Sequence, residues 1–125
     1  MNPKESRVKA TAVTFLTVSL FLVRGAHATP PAGACTIVGT PGRDVLKGGP
    51  GNDQVNGGNG NDVLFGGAGN DTLQGDHGRD RVYGGGGSDI IFAWDGSADV
   101  IDGGLGTDRA WTDKLDRVYS IERSG

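Results

Sequence analysis

An aspartate returns every nine residues through the middle of this chain: Asp44, Asp53, Asp62, Asp71, Asp80 and Asp89. Each stands in one frame, Gly-Gly-x-Gly-x-Asp-x-apolar-x. The blocks read GTPGRDVLK (39–47), GGPGNDQVN (48–56), GGNGNDVLF (57–65), GGAGNDTLQ (66–74), GDHGRDRVY (75–83) and GGGGSDIIF (84–92). The next block, AWDGSADVID (93–102), carries one extra residue, so its aspartate is Asp99. GGLGTDRAW (103–111) then restores the frame with Asp108. Eight blocks therefore fill residues 39–111. A fixed short period marks a stacked repeat, in which no unit can bury its apolar side except against its neighbours.

The frame dictates the local geometry. Glycines at positions 1, 2 and 4 let the first six residues turn tightly. Position 8 is apolar throughout: Leu46, Val55, Leu64, Leu73, Val82, Ile91, Ile101 and Ala110. One inward side chain between two outward neighbours is the period of a short strand. A turn and a strand per block give a coil of two blocks. The expected fold is all-β: a parallel β-roll, or two-sheet β-solenoid, of about eight nonapeptide blocks with short terminal caps.

Stacking such coils would stack the carboxylates. Blocks two apart share an edge, so Asp44, Asp62, Asp80 and Asp99 form one column and Asp53, Asp71, Asp89 and Asp108 the other. Neighbouring coils lie roughly 4.8 Å apart. Carboxylates at that spacing repel and raise one another's pKa. A bound cation removes the conflict. Carboxylates plus carbonyls bared by glycine turns are hard oxygen donors suited to Ca²⁺, and no ranks of Cys or His point to a transition metal.

With these motifs in hand, residues 39–111 are seen to resemble the RTX, or haemolysin-type, calcium-binding repeats, whose nonapeptide is Gly-Gly-x-Gly-x-Asp-x-apolar-x. The resemblance implies a parallel β-roll with Ca²⁺ held between turns two blocks apart. It implies aspartate pairs 44/62, 62/80 and 80/99 on one edge and 53/71, 71/89 and 89/108 on the other, hence up to about six ions. The remaining ligands it implies are backbone carbonyls of turn glycines: Gly48, Gly49, Gly51, Gly57, Gly58, Gly60, Gly66, Gly67 and Gly69. Some blocks depart from the pattern. Thr40 and Asp76 replace the second glycine of their blocks, which strains those turns but leaves the aspartate in place. Ala93 and Trp94 stand where glycines belong, and the inserted residue is expected to disturb the 80/99 pair most.

Each inward residue covers little, so the core is one side chain thick per sheet. The array is therefore expected to be largely disordered without calcium and to fold on binding it.

Residues 1–28 are of another kind. Lys4, Arg7 and Lys9 precede the uncharged stretch Ala10 to Val23, and Ala26-His27-Ala28 fits a small-x-small cleavage rule. This reads as a secretory signal peptide cut after Ala28. The alternative is an uncleaved anchor, although the 14-residue stretch is short of the ~20 needed to span a bilayer. Lys4, Arg7, Lys9 and Arg24 against Glu5 give the leader +3, so a chain at −3 leaves −6 on the mature 97 residues. That charge suits a divalent cation and excludes a nucleic-acid surface. A secreted or extracellular location follows, with cell-envelope association as a variant and no membrane span after cleavage.

Residues 29–38 read as a linker and N-terminal cap, and 112–125 as a C-terminal cap in which Leu115, Val118 and Ile121 recur at spacing three. Cys35 has no second cysteine to pair with, leaving an unpaired or intermolecular thiol.

Position 9 faces outward yet carries Phe65, Tyr83, Phe92 and Trp111. Phe65 and Tyr83 should be neighbours on one face, Phe92 and Trp111 on the other. Two readings follow: cross-strand packing, or a patch for a cell-surface or glycan partner. A partial rank of Asn52, Asn61 and Asn70 lacks the matching Thr rank of an ice-binding face. No catalytic constellation is present. His77 occupies a variable turn position, and neither H-E-x-x-H nor G-x-S-x-G occurs. The expected protein is not an enzyme. It is a secreted calcium-binding structural module, or alternatively a calcium-dependent adhesive or recognition protein displaying its aromatics.

Overall fold

The computed structural model describes residues 19–22 and 33–124, the outermost of these (19–22 and 123–124) by backbone alone. Every regular element among them is a strand: β1 (Ser19–Leu22), β2 (Cys35–Val38), β3 (Val45–Pro50), β4 (Gln54–Asn56), β5 (Val63–Ala68), β6 (Thr72–Gln74), β7 (Arg81–Gly86), β8 (Ile90–Ala93), β9 (Val100–Leu105), β10 (Arg109–Thr112), β11 (Arg117–Tyr119) and β12 (Arg123–Ser124). Consecutive strands fall in opposite sheets through the repeat. One sheet runs β1-β2-β4-β6-β8-β10-β12 and the other β11-β9-β7-β5-β3, with every pairing parallel. The result is the expected two-sheet β-solenoid, of about five turns.

The register follows the period. Leu46, Leu64, Val82 and Ile101 lie side by side in one sheet. Ile37, Val55, Leu73, Ile91 and Ala110 do so in the other. These residues are all buried and form a single file between the sheets. The sheets differ in strand length. β3, β5, β7 and β9 each span six residues and continue through the paired glycines, whereas β4 and β6 stop at three. The sequence pattern, equal in all blocks, did not foreshadow this asymmetry.

The inserted residue of block 93–102 is absorbed in the turn. β7 and β9 pair Arg81 with Val100 and Gly85 with Gly104, in step on both sides of the insertion. Trp94 is thrown outward, 77% exposed. Asp95 ties the enlarged turn, its Oδ1 accepting the Ser97 N–H at 2.8 Å and its Oδ2 the Gly78 N–H at 3.1 Å.

At the C-terminal end, β11 adds to β9 and β12 to β10, so residues 117–124 lengthen both sheets. Ile121 packs against the core file, while Leu115 stays exposed. At the other end β1 pairs with β2. Most of the expected leader lies outside the described residues. No helix among the described residues is long and apolar enough to cross a membrane.

The outward ranks have structural work. Phe65 and Tyr83 stack at 5.1 Å and 12°, with the Lys47 ammonium 5.8 Å from the Phe65 ring centre. Phe92 and Trp111 stack at 5.1 Å and 16°. The Asn52, Asn61 and Asn70 side-chain carbonyls each accept a backbone N–H from the next coil, those of Asn70, Arg79 and Ser88, at 2.8–2.9 Å. The asparagine rank thus splices turns together.

Candidate metal centre

The eight repeat aspartates are the buried charged residues of the described chain, none more than 1% exposed. The fold places them in the two expected columns, and every carboxylate but that of Asp44 divides its oxygens between two tasks. Oδ1 of Asp62 accepts the backbone N–H of Asp44, Oδ1 of Asp80 that of Asp62, and Oδ1 of Asp99 that of Asp80, at 2.8–2.9 Å. On the other edge Asp71, Asp89 and Asp108 do the same for Asp53, Asp71 and Asp89, each at 2.8 Å. The aspartate carbonyls from Asp44 to Asp99 also accept an N–H from the next coil, as Asp53 does from Thr72 at 2.8 Å. Oδ1 is therefore a structural splice between turns. Asp99 occupies its rung at the same distance as the others, so the inserted residue does not break its column.

Oδ2 is left over. In Asp53, Asp62, Asp71, Asp80, Asp89, Asp99 and Asp108 this atom is buried with no hydrogen-bond partner. A buried, unpaired carboxylate oxygen is expensive in the absence of a counter-charge. No cationic side chain among the described residues supplies one, since the ion pair found there joins His77 Nδ1 to Asp95 Oδ2, 3.9 Å apart and outside the columns. Burial is the main cause that pushes the carboxyls of Asp62, Asp71, Asp80, Asp89, Asp99 and Asp108 up. Asp62 and Asp89 reach about 6, and Asp71, Asp80 and Asp99 about 7. The rung hydrogen bond opposes that rise, and neighbouring carboxylates add to it. Asp108 is raised for the same reasons.

Six of the leftover oxygens, those of Asp53, Asp62, Asp71, Asp80, Asp89 and Asp108, form a wedge with the first glycine of their block, whereas the block of Asp99 begins with Ala93. A Cβ on Gly48 would lie 2.6 Å from Asp53 Oδ2 and 2.5 Å from the carbonyl oxygen of Gly66 on the next coil. At Gly66 the corresponding distances, to Asp71 Oδ2 and the Gly84 carbonyl, are 2.5 and 2.6 Å. The wedge thus holds a carboxylate oxygen and a carbonyl oxygen, both turned toward space that any side chain would fill. No three carboxylate, His or Cys side chains among the described residues converge on one point. A carboxylate oxygen beside a carbonyl oxygen, repeated up each column, is an all-oxygen donor set of the kind a hard divalent cation takes. The residues fit Ca²⁺.

Several wedges depart from this pattern. Asp44 Oδ2 is already satisfied, accepting the Thr40 N–H at 2.6 Å and the Thr40 hydroxyl at 2.9 Å. Above Gly75, where Ala93 replaces the next glycine, the nearest atoms all belong to Asp80, so the carbonyl rung has drawn back.

A family model described as the RTX calcium-binding nonapeptide repeat, in four copies, matches residues 36–64, 57–91 and 95–110, more than half of the chain. The chain belongs to the RTX calcium-binding nonapeptide repeat family. No curated protein and no solved structure matched it.

The structure carries this RTX roll past the eight blocks. Cys35 occupies an aspartate place: its N–H donates to Asp53 Oδ1 at 2.9 Å and its Sγ to the same oxygen at 3.3 Å. The thiol is buried, and burial together with the Asp53 contact pushes it up to about 12. Gly33 takes the positive φ, +106°, of the fourth-position glycines such as Gly51 at +109°. Gly33-Ala34-Cys35-Thr36-Ile37 is thus a repeat block with sulfur for carboxylate. At the far end Asp116 Oδ1 accepts the Asp99 N–H at 3.0 Å, and Glu122 Oε1 accepts the Asp108 N–H at 2.7 Å. The sequence held one signal for this extension: Asp-Arg-Val-Tyr occurs at both 80–83 and 116–119.

Proposed function

We propose that this RTX protein is a secreted calcium-ion-binding β-roll that folds on Ca²⁺ and serves as a structural module outside the cell. The observation that carries the reading is the set of seven buried, unpartnered aspartate oxygens, six of them in a wedge with the first glycine of their block. The ligands are the Oδ2 atoms of Asp53, Asp62, Asp71, Asp80, Asp89, Asp99 and Asp108, with turn carbonyls completing each shell. Bound calcium would supply the counter-charge these carboxylates lack. Asp44, whose oxygens Thr40 engages, contributes least. With a core one side chain thick, ligand energy becomes folding energy.

Calorimetric titration with calcium, paired with circular dichroism in chelator, tests the reading. Several ions per chain and a β spectrum that disappears in chelator are expected. Fewer than two ions, or a β spectrum indifferent to chelator, would defeat it.

Secretion rests on the basic start, apolar stretch and Ala26-His27-Ala28 of the leader. N-terminal sequencing of exported protein should begin at Thr29. Such cleavage would remove β1 and leave β2 as the end strand.

A recognition role for the outward aromatics is the second reading. It is favoured by Ile90 and Phe92, which remain 38% and 39% exposed side by side with Trp111. Binding to cells or glycans that requires calcium, and that is lost on replacing Phe65 and Tyr83 or Phe92 and Trp111 while calcium uptake persists, would establish it.

A further inference from the structure

The wedges of the roll share a construction, and the last one is finished by residues that are not repeat residues. Gly84, Asp89 Oδ2 and the Gly103 carbonyl form the wedge of block 84–92. The wedge of block 103–111 begins in the same way, with a Cβ on Gly103 falling 2.6 Å from Asp108 Oδ2. In the repeat its third side comes from the first glycine of a later block, but residues 112–125 do not keep the glycine frame. The carbonyl oxygen of Ser120 stands there instead, in close contact with the same Cβ position. Ser120 has φ +53°, one of two non-glycine residues with positive φ among those described. A side-chain-bearing residue is held in that region only when its surroundings require it.

The missing aspartate is also replaced. Glu122 Oε1 accepts the Asp108 N–H at 2.7 Å, just as Asp108 Oδ1 accepts the Asp89 N–H at 2.8 Å. Glu122 follows Asp108 by 14 residues, where the repeat rungs are separated by 18 or 19. The shortened coil sets its carboxylate further back, and the extra methylene of glutamate restores the reach. Asp108 itself is fully buried and its Oδ2 has no partner. The other column ends differently. Both oxygens of Asp116 are engaged, by the N–H groups of Asp99 and Asp113 at 3.0 and 2.8 Å.

We propose that Asp108, Glu122 and the Ser120 carbonyl form a terminal calcium site, built by the non-repeat C-terminal segment, that fastens this segment to the roll. The proposal rests on the calcium reading above and extends it beyond the aspartate lattice. A two-carboxylate site with carbonyl oxygens is again the chemistry of a hard divalent cation. Occupancy would secure Ile121 against the core file and β12 against β10, covering the open end of the sheet.

The test is calcium calorimetry on the protein and on Glu122→Gln, which keeps an oxygen for the Asp108 amide and removes the charge. The variant should bind one ion fewer, or hold that ion about tenfold more weakly, with its β spectrum at saturating calcium unchanged. An identical ion count and affinity in a folded variant overturns the terminal site while leaving the lattice intact. A parent protein that takes up no calcium overturns both. Should the variant fail to fold, carbon NMR of the parent labelled at glutamate carboxyls decides. Glu5 and Glu122 are the only glutamates. The resonance absent from E122Q should move on calcium addition and the other should not; an unmoved Glu122 resonance overturns the proposal.

Discussion

At the scale of the residue, one aspartate carries out two jobs that are separable by substitution. Oδ1 of Asp71 splices backbone to backbone, whereas Oδ2 is buried without a hydrogen-bond partner. Asp71→Asn keeps an acceptor for the Asp53 amide and removes the charge. In chelator this variant should be at least as stable as the parent. In saturating calcium it should be less stable, by roughly 1–3 kcal/mol, the cost of a buried polar group left without its partner. Denaturant melts in the two conditions check the reversal; a variant destabilised equally in both would show that the carboxylate is merely packing. The glycine opposite is as specific. Gly66 does not take a positive φ, so the objection to a larger residue there is space alone. Gly66→Ala should cost about 1–3 kcal/mol in calcium and weaken calcium uptake. An unchanged thermal midpoint would mean that the wedge can widen freely.

At the scale of the element, each repeat strand turns the apolar side chain of position 8 inward, and its outward neighbours stiffen it. Tyr83→Ala removes the stack on Phe65 and should cost about 0.5–1.5 kcal/mol beyond lost burial. Thermal melts in calcium measure it, and no loss at all would make the stack incidental and strengthen a recognition role for that face. How much of this was legible before the structure depends on which element is asked. The repeat strands and both aspartate columns could be read directly, because position 8 and position 6 recur in frame from Leu46 and Asp44 onward. The end rungs were barely legible, marked only by the second Asp-Arg-Val-Tyr at 116–119. Cys35, Asp116 and Glu122 occupy column places without the glycine frame that would announce them, and Glu122 does so through a longer side chain on a shorter coil. Nor could the splice by Oδ1 be foreseen, since a carboxylate's two oxygens are the same in sequence and differ only once the next coil is in place. At Asp99 the insertion leaves the backbone hydrogen bond intact at 2.9 Å, but Ala93 stands where the wedge glycine belongs and the wedge above Gly75 meets only Asp80 atoms, so the disturbance expected of the 80/99 pair shows at the wedge and not at the rung.

At the scale of the whole molecule, the raised carboxyls of the columns should couple folding to protons. Asp62, Asp71, Asp80, Asp89 and Asp99 are raised to about 6–7 from 3.8, so the folded roll binds protons more tightly than the unfolded chain. Metal-free protein should therefore be most stable below about pH 4 and lose that stability as pH rises through 6–7. Calcium uptake should run the other way, weakening as pH falls through 7 toward 5, because protons compete for the same oxygens. Circular dichroism of chelated protein between pH 8 and 4 checks the first part, and a β signal that declines on acidification would contradict it. The unequal tolerance of turn and strand has a different sort of consequence. A residue added between Ala93 and Asp99 leaves every later pairing in step, whereas one added within a strand would turn its inward side chain out. Two whole blocks can be added or lost without altering any remaining rung. The lineage of such a chain should therefore have changed length by duplication and deletion of 18-residue units, with odd residues surviving only at the rims.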